Sequence, residues 1–304
     1  MSAKNAWRPA TTATATCIRL RNRRLFAKFT RKGHKQQINL TPVGSQIEGN
    51  QAIAAVKNTT GDGYFILIPV SAIDYGAPNN FTNKLTALKI NENGLNIFPI
   101  ETDLGDFRFS IYSEIKSNTY LGSTKIAIAP SSLPGPTRQS IPITKIYSFN
   151  ASTGHSEATL ATISGVMISS VEFSKNGNLL YAMVNHFGSQ DHRLVVYDLN
   201  NIASGYRTIS NSQINLSLQR AADGNIYFTN VYQNNKLFKI SDDNSFLNSQ
   251  VSSSVLTFNV NNQLYFNLPQ LVQPLSSGSN CDSLTLDSET GTSDQIRATQ
   301  TKAT

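Results

Sequence analysis

Two hairpins of this chain are near copies of each other, and no other feature restricts the fold as strongly. VEFSKNGNLLYAMV (171–184) and LQRAADGNIYFTNV (218–231) each read as a strand, a tight Asn-Gly or Asp-Gly turn, and a second strand carrying a tyrosine. Asn-Gly and Asp-Gly between alternating runs read as tight hairpin turns. The turn glycines, Gly177 and Gly224, lie 47 residues apart, about the length of one propeller blade. A single four-stranded sheet cannot bury its own apolar faces, so such units must stack.

The rest of the body reads the same way. QAIAAVK (51–57) and YFILIPV (64–70) flank the turn-rich NTTGDG, and KLTALKI (84–90) closes at NENG. FRFSIYS (107–113), STKIAIAP (123–130), ITKIYSFN (143–150), RLVVYDLN (193–200), KLFKIS (236–241), VLTFNV (255–260) and QLYFNLPQLV (263–272) follow. Period-two alternation with β-branched and aromatic residues marks half-buried antiparallel strands. NNIASGYRTIS is the nearest approach to a helix, and Gly205 breaks it. The expected class is all-β: a propeller-like array of about four or five antiparallel blades over residues 45–272, with a β-sandwich as the alternative. Residues 1–44 read as a basic arm, disordered or non-native. Residues 273–304 read as a polar tail, either a disordered terminus or the opening of a further β-module.

Charge separates the arm from the body. Residues 1–40 hold ten Lys or Arg and no acid, which leaves 16 basic against 19 acidic side chains in the remainder. The body is therefore mildly acidic. A nucleic-acid partner would rest on the arm alone, which has few aromatics for base stacking, so none is expected. Arg-rich, acid-free composition also suits an organelle transit peptide. No segment has the roughly 18 consecutive apolar residues of a membrane span. The two cysteines, Cys17 and Cys281, lie outside the repeated region, and two cysteines make neither a disulfide framework nor a CxxC metal site.

Residues that carry chemistry are sparse. The densest group is Asn185, His186, Asp191 and His192 in NHFGSQDHR, the loop after a tyrosine-bearing strand. Two imidazoles and a carboxylate are transition-metal donors if the loop folds back, but loop histidines serve equally as solvated polar residues. Glu172 sits on the expected innermost strand of its blade, where alternation aims it either at a central channel or into the sheet face; Arg220 holds the related place one blade on. No GxSxG, P-loop, HExxH or GxGxxG is present, and no catalytic residue, metal or cofactor is expected.

VEFSKNGNLLY resembles the "FSPDGKLLY" strand-turn-strand of bacterial YVTN and WD-like propellers. The order YLGSTKIAIAP, ITKIYSFNASTG, VEFSKNGNLLY, RLVVYDLN, LQRAADGNIYF, FNLPQLV further resembles large secreted surface proteins of Bacteroidota. SSLPGP replaces that family's second-blade turn. The resemblance implies a fragment of a longer type IX-secreted protein, at the cell surface or outside the cell. It also implies a non-catalytic binding or scaffold module, with a protein, a glycan or neighbouring modules of the parent chain as partners. On this reading the chain is not an enzyme. A propeller hydrolase of the lactonase type is the alternative, and it would need several acids converging on one channel. A WD-repeat adaptor lacks its recurring Trp-Asp, since the one tryptophan is Trp7.

Overall fold

The computed structural model describes residues 14–21, 24–31, 34–39, 53–60, 63–73, 81–91, 94–96, 98–105, 114–129, 143–185, 192–211, 215–221, 223–230, 236–241, 243–252, 256–257, 285–287 and 297–299. Within the basic arm, β1 (Thr14–Arg21), β2 (Arg24–Arg31) and β3 (His34–Asn39) form an antiparallel three-stranded sheet.

Four sheets follow in chain order. The first holds β4 (Ala54–Lys57), β5 (Tyr64–Ile73), β6 (Phe81–Asn91), β7 (Gly94–Leu95) and β8 (Ile100–Asp103), the last two both pairing with β6. The second is β9 (Glu114–Tyr120), β10 (Ser123–Ala129), β11 (Ile143–Phe149) and β12 (Ser156–Ser164). The third is β13 (Met167–Phe173), β14 (Leu179–Asn185), β15 (His192–Asp198) and β16 (Tyr206–Ser210), reached after a 3-10 turn at Ile202–Ser204. The fourth is β17 (Asn215–Arg220), β18 (Ile226–Asn230) and β19 (Lys236–Ser241), with β20 (Gln250–Val251) and β21 (Leu256–Thr257) both on β19. A short hairpin, β22 (Thr285–Asp287) with β23 (Arg297–Thr299), lies in the polar tail.

Each sheet is an antiparallel meander, and the first strands touch in succession: β4 against β9, β9 against β13, β13 against β17. This is a run of four propeller blades stacked face to face with their first strands innermost, not a sandwich of two sheets. The expected strands 107–113 and 263–272 lie outside the described residues.

Alternation supplies both faces of each blade. Phe65, Leu67 and Leu85 pack against Ile115, Ile126 and Phe149. Ala127, Ile146 and Ile163 of the second blade meet Val171, Phe173 and Leu180 of the third. Tyr181, Met183 and Val196 meet Leu218, Ile226 and Phe228 of the fourth. Fully burying one such aliphatic or aromatic side chain contributes about 1.5–3 kcal/mol. A bulge between Ile168 and Ser170 resets the phase of β13. It lets Ile168 share a core with Val171 and Phe173 while Ser170 and Glu172 turn to the fourth blade. The loop after β11 docks through Gly154, at φ +82, where a Cβ would lie 2.7 Å from the Phe65 ring.

Candidate functional site

Asn185 and His192 are cross-strand partners on β14 and β15, with His192 half-buried. His186 and Asp191 lie outside the described residues. Glu172 pairs with Tyr181, four residues along β14 from Asn185, a separation of about 13 Å at the rise of a strand. Glu172 and the Asn185–His192 pair therefore occupy separate places. Among the described residues, no group of three His, Cys, Asp or Glu side chains is gathered to hold a metal.

Glu172 belongs to a different cluster, built where the innermost strands meet. An innermost strand pairs on one side only, so its other edge presents backbone groups that need partners. Side chains of the preceding blade supply acceptors for its N–H groups, while Ser117 and Arg220 of the following blades donate to Ala55 O and Phe173 O. Glu114 on β9 accepts a hydrogen bond from the Val171 N–H on β13 at 2.7 Å. Ser170 Oγ accepts from the Leu218 N–H at 2.8 Å, and Glu172 Oε2 accepts from the Arg220 N–H at 2.9 Å, both on β17. The other oxygen of Glu172 accepts from the Phe173 N–H at 3.0 Å.

Lys116 ties three blades together. From β9 its side chain reaches Glu172 on β13 and donates to Leu218 O at 3.0 Å and Gln219 Oε1 at 2.9 Å on β17. The ammonium is 3.2 Å from Glu114 Oε1 and 3.8 Å from Glu172 Oε2. Both carboxylates thus share one cation. They differ in access: the Glu114 side chain keeps 15% of its surface, the Glu172 side chain 2%. Burial pushes the Glu114 carboxyl above the usual carboxylate range, although Lys116, the Val171 N–H and Ser170 pull the other way. Glu172 is an inter-blade cap, and Glu114 is the more exposed of the two acids.

A second polar cluster joins the third and fourth blades beyond the strand ends. Arg220 forms an ion pair with Asp243 at 2.8 Å and also donates to Phe173 O and Gly224 O. Asp243 accepts from the Lys175 N–H at 3.1 Å, and its carbonyl accepts from the Tyr181 hydroxyl at 2.9 Å. Arg207 on β16 donates to Phe246 O, Ser249 O and Ser249 Oγ in the same loop. On the other flank, Asn118 Nδ2 donates to Ser174 O at 3.2 Å, and Lys125 Nζ to Gly177 O at 2.8 Å.

Sequence reasoning singled out Glu172 but missed Glu114 and Lys116, because EIKSNTY does not read as a strand. One of its seven residues is aliphatic, and its turn is Leu121-Gly122 rather than Asn-Gly. The usable signal is the duplex EIKSNTY-LG-STKIAIA: two seven-residue runs around a two-residue link, the second strongly alternating.

No family model matches the chain, and no curated protein does. Solved structures do. The periplasmic gluconolactonase of Pseudomonas aeruginosa superposes with a TM-score of 0.50 at 11% identity, over 83% of this chain and 69% of that one. A Bacteroides fragilis structure described as a candidate 6-phosphogluconolactonase gives 0.46 at 10% identity, over 84% and 71%. A Bacteroides uniformis structure described likewise gives 0.43 at 11%, over 79% and 70%. The likeness to the Pseudomonas protein is one of fold. It corrects the expectation that the chain is no enzyme: this architecture is one on which a lactonase is built, so a scaffold role does not follow from it.

Proposed function

We propose that the chain is a propeller hydrolase of the lactonase type, opening a cyclic ester with water at the junction of β9, β13 and β17. The observation that carries this reading is Glu114: a carboxylate on a side chain that keeps 15% of its surface, raised by burial, 3.2 Å from the Lys116 ammonium. A carboxylate with a raised pKa is a stronger base than a free one, and such tuning is what general-base catalysis requires. The fold shared with the Pseudomonas gluconolactonase supports the choice of lactones over other esters.

In the proposed reaction Glu114 takes a proton from water as the water oxygen bonds to the lactone carbonyl carbon. The carbonyl oxygen becomes an oxyanion, which the Lys116 charge offsets through space rather than by a hydrogen bond, its N–H groups being held by Glu114, Leu218 O and Gln219 Oε1. Collapse breaks the bond from that carbon to the ring oxygen. The ring oxygen recovers the proton from Glu114, giving a hydroxy acid. Glu172 and Ser170 hold β17 against β13 and so fix where Lys116 ends. We also propose an extracytoplasmic location, which the resemblance to secreted propellers supports.

The test is hydrolysis of δ- and γ-lactones by the purified chain at mildly acidic pH, where attack by free hydroxide is slow. Glu114→Gln is expected to lower kcat by about 100-fold or more, within the range for loss of a general base, with KM little changed. The wild-type rate should rise with pH through a value above the ordinary carboxylate range as Glu114 loses its proton. Failure to hydrolyse any of the lactones, or full activity in a folded Glu114→Gln variant, would sink the proposal.

A further inference from the structure

We infer that the lactone accepted at this site is uncharged, and that the site discriminates against the same lactone carrying a phosphate; this rests on the hydrolase reading above. The charges around Glu114 do not balance. Two carboxylates, Glu114 and Glu172, face a single ammonium, and all three donor directions of Lys116 are taken by Glu114, Leu218 O and Gln219 Oε1. An ammonium has three N–H groups and no more, so Lys116 has none left to bind a phosphate oxygen.

The neighbouring guanidinium offers no accessible donor either: its one nitrogen without a partner, Nε, is buried. Arg220 is 3% exposed, and its charge is matched by Asp243. Lys57 is the other cation on an innermost strand among the described residues. It alternates with Val56, which packs towards the second blade, so Lys57 lies on the face of β4 turned away from β9. The described inner wall is thus one negative charge in excess, beside apolar blade cores where Coulomb forces are weakly screened. A phosphate dianion brought there meets repulsion and finds no donor that is both free and accessible. A neutral polyol meets neither obstacle.

The experiment compares kcat/KM of the purified chain for glucono-1,5-lactone and for its 6-phosphate ester, at low and at high ionic strength. The expected result is a preference of about tenfold or more for the neutral lactone at low salt, shrinking as salt screens the wall charge. Glu172→Gln, which keeps the shape and one acceptor but removes a charge, should narrow the preference in the same direction. Equal or faster turnover of the phosphate ester overturns the inference while leaving the hydrolase reading standing. A preference unmoved by salt and by Glu172→Gln overturns its electrostatic basis. Turnover of neither lactone overturns the hydrolase reading itself, and this inference with it.

Discussion

The hydroxyls of Tyr147 and Tyr197 are buried without a hydrogen-bond partner, each on the third strand of its blade. Burial pushes both phenols upward in pKa. Tyr181 is buried too, but its hydroxyl reaches the Asp243 carbonyl at 2.9 Å, and burial still raises its pKa to about 12. A buried donor without a partner costs about 1–3 kcal/mol, whereas a made hydrogen bond contributes about 1 kcal/mol net. Tyr147→Phe and Tyr197→Phe should therefore leave stability unchanged or raise it by up to about 1 kcal/mol, and Tyr181→Phe should lower it by about 1 kcal/mol. Urea unfolding midpoints at constant m-value would show the contrast. A loss of more than that in the first two variants would mean that their hydroxyls have found partners.

Among elements, the β9–β10 hairpin is the most informative. Its two-residue link has Leu121 at φ 48 and Gly122 at φ 80, a type I′ geometry, with Leu121 89% exposed. Leucine disfavours that conformation, and Asn accepts it. Leu121→Asn should stabilise the chain by about 0.5–1 kcal/mol, read as a rise in the unfolding midpoint; a fall would mean that the leucine makes a contact of its own. The same hairpin shows why part of the molecule was hidden in the sequence. Alternation marks strands with one apolar face, and continuous apolar runs mark strands with two. β9 instead turns Lys116 and Asn118, each 6% exposed, towards the next blade, so periodicity is silent there. The repeated hairpins were legible because their turns are chemically explicit. Their likeness is also looser than it reads: Phe173 pairs with Leu180 across six residues, but Arg220 pairs with Ile226 across five. Register nonetheless keeps Tyr181 opposite Glu172 and Tyr227 opposite Gln219, so the two tyrosines are equivalent although their spacing from the turn glycine differs.

At the scale of the molecule, the blades are joined by apolar faces and by polar ties that span large sequence separations. Glu114 to Val171, Glu172 to Arg220 and Lys116 to Leu218 bridge 57, 48 and 102 residues. No local spacing encodes such ties, which is why the array was readable from the chain and its candidate site largely was not. The loop around Asp243 ties the third and fourth blades outside the strands. Removing one member of a buried ion pair strands the other, at about 3–5 kcal/mol. Asp243→Ala, which leaves the Arg220 guanidinium without its anion and the Lys175 N–H without its acceptor, should cost about 3 kcal/mol. Hydrogen exchange should rise in β17 and β18 before β5 and β6, because the lesion sits between the last two of the four blades. Uniform protection with unchanged stability would contradict the assignment.

The caps on backbone N–H groups that cross between blades at the inner edge run one way, from an acceptor side chain to the strand of the blade that follows it in the chain, whereas Ala55 O and Phe173 O accept from Ser117 and Arg220 of the following blade. During synthesis the earlier blade therefore emerges with its capping groups already in place, a template waiting for the next strand. A chain cut short at its C-terminus keeps the acceptors for these earlier N–H groups, whereas one that loses its leading blade leaves the N–H groups of the next edge open to a foreign strand.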